Sequence, residues 1–245
     1  MRFRLTISYD GTAYSGWQVQ PGEPTVQAAI EAAIEATSGT KVKLHGSGRT
    51  DCGVHARGQV AHFDLETRMT PRSMRFALNS RLPPDIRILS AAIVPDTFHA
   101  RRTAHSKEYR YVVFNGATMP PCRRLYATQV HRPLDVAAMR LAAARFVGVH
   151  DFRAFMANPQ RVVDSTVREI YSFEISKRGA FVTFRVKGNG FLYKQVRSMV
   201  GMLIRVGHGQ EPPERVSEWL DGRAERTARV PSAPPQGLTL WKVWY

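Results

Sequence analysis

Eleven residues, Gly46-Ser47-Gly48-Arg49-Thr50-Asp51-Cys52-Gly53-Val54-His55-Ala56, bring a guanidinium, a carboxylate, a thiol and an imidazole into one short stretch. Its glycines open backbone conformations closed to other residues and allow close approach to a ligand. The composition describes a tight, exposed turn that presents Arg49 and Asp51. A plain surface turn has a similar composition, because Asp and Gly are common turn residues. Two phosphate-binding readings fail on spacing. A dinucleotide fingerprint needs a third glycine where Asp51 stands, and a P-loop needs a Gly-Lys-Ser/Thr that is absent here. What remains is a carboxylate with a cation two residues away. A nearby cation keeps an acid ionised, and an ionised Asp in a cleft serves as nucleophile, base or metal ligand.

Three further clusters carry chemistry-bearing side chains. In Lys107-Glu108-Tyr109-Arg110-Tyr111 the two tyrosines share one face of a strand. They suit core packing or, interleaved with Lys107 and Arg110, a base-stacking platform. The run Gly188 to Gly201 opens a helix from a glycine turn, with Leu192, Val196, Met199, Val200 and Leu203 as its apolar stripe. Arg197 lies beside that stripe. It needs an acidic partner, for which Asp51 is a candidate, or it reaches solvent along its stem. The segment from Phe98 through His99, Ala100, Arg101 and Arg102 to Lys107 and Glu108 is basic and lies between two halves of the chain. It suits a phosphate grip or a solvated linker.

The elements that must position these groups follow from periodicity. Phe3, Leu5, Ile7 and Tyr9 alternate with polar residues and predict a strand ended by Asp10-Gly11. Thr25 to Thr37 predicts a helix with Val26, Ala29, Ile30, Ala33 and Ile34 on one face, Thr25 as cap and Gly39 beyond its end. Strands are expected over Lys41–Leu44, Gln59–Leu65 and Ile86–Val94, with a short helix over Arg72–Asn79. The second half predicts a strand through Tyr109, Tyr111 and Val113, and a helix over Leu134–Phe146. A hairpin follows over Val167–Ile175 and Phe181–Val186, turning at Arg178-Gly179. A long helix over Leu192–Val206 and a last strand over Leu238–Tyr245 complete it. The Pro-rich stretch Val230–Gly237 reads as a loop. The order describes an α+β protein built of two pseudo-duplicated split-βαβ halves, residues 1–97 and 98–245, with mostly antiparallel sheets flanking a basic cleft.

Composition narrows the partners. The 245 residues carry 35 Lys+Arg against 20 Asp+Glu, a formal net charge of +15, which favours a polyanion, most simply nucleic acid. Two cysteines, Cys52 and Cys122, form no framework and fit a reducing, cytoplasmic setting. The eight histidines show no ligand spacing, so no metal is expected. The first residues lack the apolar core of a signal peptide, and no run is long enough to cross a bilayer.

With these pieces in view, the chain resembles the tRNA pseudouridine synthase A family. The likeness runs nearly end to end. It includes Tyr9-Asp10-Gly11-Thr12-Ala13-Tyr14-Ser15-Gly16-Trp17-Gln18, the segment Gly48 to Ala56, Phe98-His99-Ala100-Arg101, and Lys107, Tyr109 and Tyr111. It also includes Gly190-Phe191-Leu192-Tyr193, Val196-Arg197 and Val200-Gly201. The Gly-Arg-Thr-Asp-x-Gly-Val-His-Ala segment is the specific one. Cys52 departs from the small residues, such as Ala, familiar there. The resemblance implies conversion of uridine to pseudouridine on the 3′ side of the tRNA anticodon stem-loop, by a homodimer that uses no cofactor. It implies Asp51 as the catalytic aspartate, Tyr109 as the residue stacked on the target base, Arg49 as a holder of the flipped nucleotide, and Arg197 as the cation paired with the aspartate. A non-catalytic RNA-binding module explains the charge and the tyrosines but not the Arg49, Asp51 and Arg197 set. A Cys52-dependent uridine methyltransferase needs a methyl-donor site, and no Gly-rich strand–turn–helix is present to make one.

Overall fold

The computed structural model describes residues 1–157, 163–223 and 225–245. In chain order the principal elements are β1 (Arg2–Tyr9), α1 (Val26–Ser38), β2 (His45–Gly46), β3 (His55–Asp64), α2 (Pro71–Arg81), β4 (Ile86–Val94), β5 (Ser106–Asn115), β6 (Thr128–Val130) and α3 (Val136–Ala144). After them come β7 (Gly148–Asp151), β8 (Val167–Arg178), β9 (Phe181–Gly188), α4 (Gln195–Gly207), α5 (Arg215–Glu218) and β10 (Leu238–Trp244). They form two compact units, Met1–His105 with Thr239–Tyr245, and Ser106–Leu238. The class is α+β with mostly antiparallel pairing, as the element order predicts.

In the first unit β1 lies antiparallel to β3 on one side and to β4 on the other. Its side chains alternate: Phe3, Leu5, Ile7 and Tyr9 point into the core. Burying each aliphatic or aromatic side chain contributes about 1.5–3 kcal/mol. Phe3 stacks on Phe63 across the β1–β3 pair, ring centroids 5.4 Å apart. The last strand, β10, returns to pair in parallel with the start of β3, Thr239 opposite His55 and Leu240 opposite Ala56. The Tyr245 hydroxyl donates to the Ala100 carbonyl at 2.6 Å, and the Arg57 guanidinium lies 4.3 Å from the Trp241 ring centroid. Helix α1 starts at Thr25, whose Oγ1 accepts from the Ala28 N–H, and ends in left-handed Gly39.

The expected strand over Lys41–Leu44 does not form; β2 is His45–Gly46 instead. Side chains of α1 take the backbone groups a strand partner would need. Glu31 Oε1 accepts from the Leu44 N–H at 2.8 Å, and Gln27 Nε2 donates to the Leu44 carbonyl at 3.1 Å. Gln27 is therefore buried on α1, while Ala29 is only half-buried.

In the second unit the sheet runs β5–β9–β8–β7, antiparallel throughout, with β6 parallel to β5. Phe146 anchors an aromatic core with Phe155 at 5.1 Å and Phe173 at 5.7 Å between centroids. Helix α4 begins three residues later than the periodicity predicts. Lys194 has φ 57°, left-handed and incompatible with continuing a helix backwards. The Gln195 side chain accepts from the Leu192 N–H at 2.8 Å and fixes the turn before it.

The Pro-rich stretch expected as a loop is a strap laid across α4. The Ala233 N–H donates to the Arg197 carbonyl at 2.9 Å, and Arg197 Nε donates to the Ala233 carbonyl at 2.7 Å. A Cβ on Gly201 would stand 2.0 Å from the Pro231 carbonyl oxygen, so only glycine lets the strap approach the helix.

Candidate active site

Asp51 sits half-buried on the turn entering β3, between exposed Arg49 and exposed Cys52. The turn closes through the Val54 N–H to the Asp51 carbonyl at 3.1 Å, with Gly53 at φ 74°. It is held from below by β3 itself. Ser47 Oγ donates to Gln59 Oε1 at 2.7 Å, and Gln59 Nε2 donates to the Gly48 carbonyl at 2.9 Å. Ser47 and Gln59 are both fully buried, so these bonds are shielded from water.

It is held from the side by residues 9–18. The Tyr9 hydroxyl and Thr50 Oγ1 are 2.8 Å apart. Burial pushes the Tyr9 phenol above its ordinary pKa, which keeps it a neutral hydrogen-bonding group. The Trp17 N–H donates to the Thr50 carbonyl at 3.1 Å, and the Gly53 N–H donates to the Tyr14 carbonyl at 3.3 Å. Gly16, at φ 99°, lies where a Cβ would be 2.6 Å from the Thr50 carbonyl oxygen. Arg49 Nε donates to Gln18 Oε1 at 3.1 Å. At the far end of the turn, the Gly11 N–H approaches His55 Nδ1 at 3.0 Å, and Asp10 Oδ1 lies 3.1 Å from the same nitrogen. A carboxylate on a turn this constrained has few poses to lose on meeting a substrate, which is the geometry that preorganised catalysis needs.

The second unit presents its own cluster. Tyr109 on β5 is nearly buried and meets the Phe191 ring edge-on, centroids 5.2 Å apart. Tyr111, the other half of the expected stacking pair, is enclosed in the core and open to no base. Its hydroxyl lies 2.6 Å from Thr128 Oγ1 and donates to the Pro234 carbonyl at 2.8 Å. Burial raises its pKa and Arg197 lowers it, burial being the larger effect. Arg197 thus lies within electrostatic reach of the Tyr111 phenol, at the start of α4. Arg110 pairs with Glu108 at 2.7 Å on the opposite face of β5 from the tyrosines.

The sequence of residues 5–101 and 142–245 matches the family pattern described as tRNA pseudouridine synthase. The chain belongs to the tRNA pseudouridine synthase family. It is accordingly an isomerase that converts uridine in tRNA to pseudouridine. The tRNA pseudouridine synthase A of Citrifermentans bemidjiense is 46% identical over 242 residues, covering 99% of this chain and 96% of that one. That of Geobacter sp. strain M21 is 47% identical over 242 residues, covering 99% and 98%. That of Streptococcus pneumoniae is 43% identical over 247 residues, covering 100% and 98%.

In this synthase the basic segment after β4 is a folded turn. Ala100 is fully buried, its N–H on His62 Nδ1 at 3.2 Å and its carbonyl under Tyr245, so its side chain shapes the turn and is closed to RNA. Phe98 is half-buried against Tyr245, centroids 4.8 Å apart. His99 accepts from the N–H groups of Arg101 and Arg102 through Nδ1, which leaves both arginine side chains exposed. Lys107 is half-buried on β5. His99 also joins His62 and His45 in a cluster of rings with centroids 4.7–5.8 Å apart. Among the described residues no group of three His, Cys, Asp or Glu side chains is arranged to hold a metal ion, and no helix is long and apolar enough to cross a membrane. Sequence reasoning overlooked the buried glutamines, and it marked residues 9–18 as family-like without giving them a part in holding the turn. The glutamines' one visible signal was a polar side chain, Gln27 or Gln195, at an apolar-stripe position.

Proposed function

We propose that Asp51 is the catalytic aspartate of a synthase acting on the 3′ side of the tRNA anticodon stem-loop. The observation that supports this most is the Asp51 turn itself, a half-buried carboxylate clamped by Tyr9, Gly16, Trp17 and Gln59 beside an exposed arginine. The reaction breaks the bond between uracil N1 and the sugar, turns the base over and joins its C5 to the same sugar carbon. N1 gains a proton and C5 gives one up, so the atoms balance with no oxidant, reductant or donated group, and no cofactor is called for. Asp51 attacks the sugar carbon or takes a sugar proton; either role needs the ionised form.

A stacked base is out of reach of any carboxylate, so the target nucleotide must be flipped out. Arg49, on the same turn, fills or props the gap it leaves. Tyr109 holds the uracil, with Phe191 fixing its ring. Arg197 is the cation that pairs with Asp51, as the family resemblance implies. Arg101, Arg102, His99 and Lys107 grip tRNA phosphates, with Phe98 and Ala100 shaping their turn. The working unit is a homodimer in the cytoplasm, as the family resemblance implies.

The test is Asp51→Asn with unmodified tRNA under single-turnover conditions. The amide keeps the shape but is neither nucleophile nor base. Pseudouridine formation should fall by about 10²–10⁴-fold or more, while tRNA affinity changes little. Near-normal turnover removes Asp51 from the chemistry.

A further inference from the structure

Some arginines of the second unit pair with carboxylates, Arg110 with Glu108, Arg205 with Glu211 and Arg215 with Glu218, and others such as Arg140 donate to a backbone carbonyl. Arg226 is different. Its Nη1 donates to Ser198 Oγ at 2.8 Å and its Nη2 to Ser232 Oγ at 3.0 Å, and no carboxylate pairs with it among the described residues. It is half-buried, and burial holds its guanidinium below the ordinary pKa. A partly desolvated cation whose two side-chain acceptors are both neutral keeps a net attraction for an anion. A glutamine would bridge two hydroxyls more cheaply.

The surroundings name the missing partner. Ser198 stands in the first turn of α4, next to Arg197, and donates its hydroxyl to the Lys194 carbonyl at 3.1 Å. The Lys194 ammonium lies 5.0 Å from the Tyr193 ring centroid, and Tyr193 is exposed. Arg223 and Arg229 flank the loop and are exposed as well. A helix N-terminus adds positive potential at the same end. A guanidinium has five N–H donors in a planar fork, of which Ser198 and Ser232 use two. The rest suit the paired oxygens of a phosphate.

We infer that Arg226, propped by Ser198 and Ser232, is a phosphate-binding residue that grips one phosphodiester of the RNA substrate at the start of α4. This rests on the tRNA reading above and adds a contact that reading does not assign. Arg226 touches no reacting atom in this account. It holds register, so its loss weakens binding and leaves the chemical step alone.

The experiment measures the affinity of the full chain for an unmodified tRNA transcript across a series of KCl concentrations, for Arg226→Gln, Arg226→Lys and Ser232→Ala. Arg226→Gln should raise Kd about tenfold. It should also make the slope of log affinity on log salt shallower by about 0.7–0.9, the loss of one phosphate contact. Arg226→Lys keeps the charge and should keep the slope, with a smaller rise in Kd. Ser232→Ala loses a prop and keeps the slope. A wild-type Kd and slope for Arg226→Gln overturn the inference. So does a slope unchanged while Arg226→Gln and Ser232→Ala lose the same thermal stability, since that marks a brace alone. Should Arg226→Gln not fold, a wild-type Kd for Arg226→Lys decides against the fork. Failure of wild-type protein to make pseudouridine would instead sink the proposed function, whatever the slopes.

Discussion

Gly16→Ala tests whether the 9–18 segment sets the pose of Asp51. Gly16 lies 35 residues before Asp51 in the numbering, yet a Cβ there would stand 2.6 Å from the Thr50 carbonyl oxygen and 3.2 Å from both the Asp51 carbonyl carbon and the Cys52 nitrogen. Ordinary contact lies near about 3.5 Å, so roughly 1 Å of separation must be found between two backbone segments. The φ of 99° adds a conformational cost of about 1–3 kcal/mol for any residue with a Cβ. With crowding included, the expected stability loss is about 2–4 kcal/mol. The catalytic effect is separable. A displacement of about 1 Å at the reacting group costs on the order of 10²-fold in rate. Single-turnover pseudouridine formation should therefore drop about 100-fold at a temperature where circular dichroism shows the variant folded, with tRNA affinity within a few-fold of normal. Gly22→Ala is the control: its φ of 75° is similar, but nothing lies within 4 Å of the added Cβ. It should show only the backbone cost, about 1 kcal/mol, and a normal rate. A folded Gly16→Ala protein with wild-type turnover would refute the clamp.

Cys52→Ala should leave activity unchanged, because the thiol is exposed and no step uses it; collapse of activity in a folded variant would revive thiol chemistry. Arg197→Met should lose activity more than tRNA affinity, measured by single-turnover rate against Kd, and should lower thermal stability because the bond to the Ala233 carbonyl goes with it. His62 supplies a pH test. Burial, the dominant cause, with His99, Arg2 and His45, lowers its pKa to about 4, and Asp64 opposes this only weakly. A base whose folded pKa lies below its unfolded value of about 6.5 costs no stability above the unfolded value. It costs progressively more as pH falls from there, and the loss is complete below about 4. His99, lowered by its own burial and by Arg102 and His45, adds to the same trend. The melting temperature of wild type should fall between pH 6.5 and 4. In His62→Asn, which keeps an acceptor for the Ala100 N–H, the fall should be smaller; an identical pH profile would count against the cluster.

Local rules reached the elements whose contacts are local. The alternation of Phe3, Leu5, Ile7 and Tyr9 is a property of eight consecutive residues, and α1 announced itself through Thr25 and Gly39. The Asp51 turn was legible for the same reason, since its glycines and charges are contiguous. What holds that turn was not. The bonds to Thr50 from Tyr9 and from the Trp17 N–H join residues far apart in the chain, and spacing rules see only neighbours. Three glutamines show the limit most clearly. Gln27, Gln59 and Gln195 carry no mark of burial in their residue type, yet each is buried and satisfies a loop: Leu44, Gly48 and Leu192 respectively. An amide carries a donor and an acceptor at its tip, which suits it to bridge irregular backbone inside a core. The strand expected over Lys41–Leu44 failed because of one of these bridges. Tyr111 looked equivalent to Tyr109 by spacing, and partners distant in the chain, Thr128 and the Pro234 carbonyl from the strap, are what hold it in the core.

The late arrival of β10 has a consequence for how the protein is made. Strand β3 leaves the ribosome together with β1, but the partner that pairs beside His55 and Ala56 is encoded after the whole second unit. At about 5–20 residues per second, on the order of 10–30 s of synthesis separates the two. Throughout that interval the strand leading out of the Asp51 turn carries an open edge, a template for mispairing with other nascent chains. Arg57, exposed on that early edge, puts a charge where a stray strand would pair, and Gly58 leaves room for the late partner, since a Cβ there would stand 2.6 Å from the Trp241 carbonyl oxygen. When β10 does arrive, Arg57 changes role, from a charge that keeps strangers away to the cation lying over Trp241.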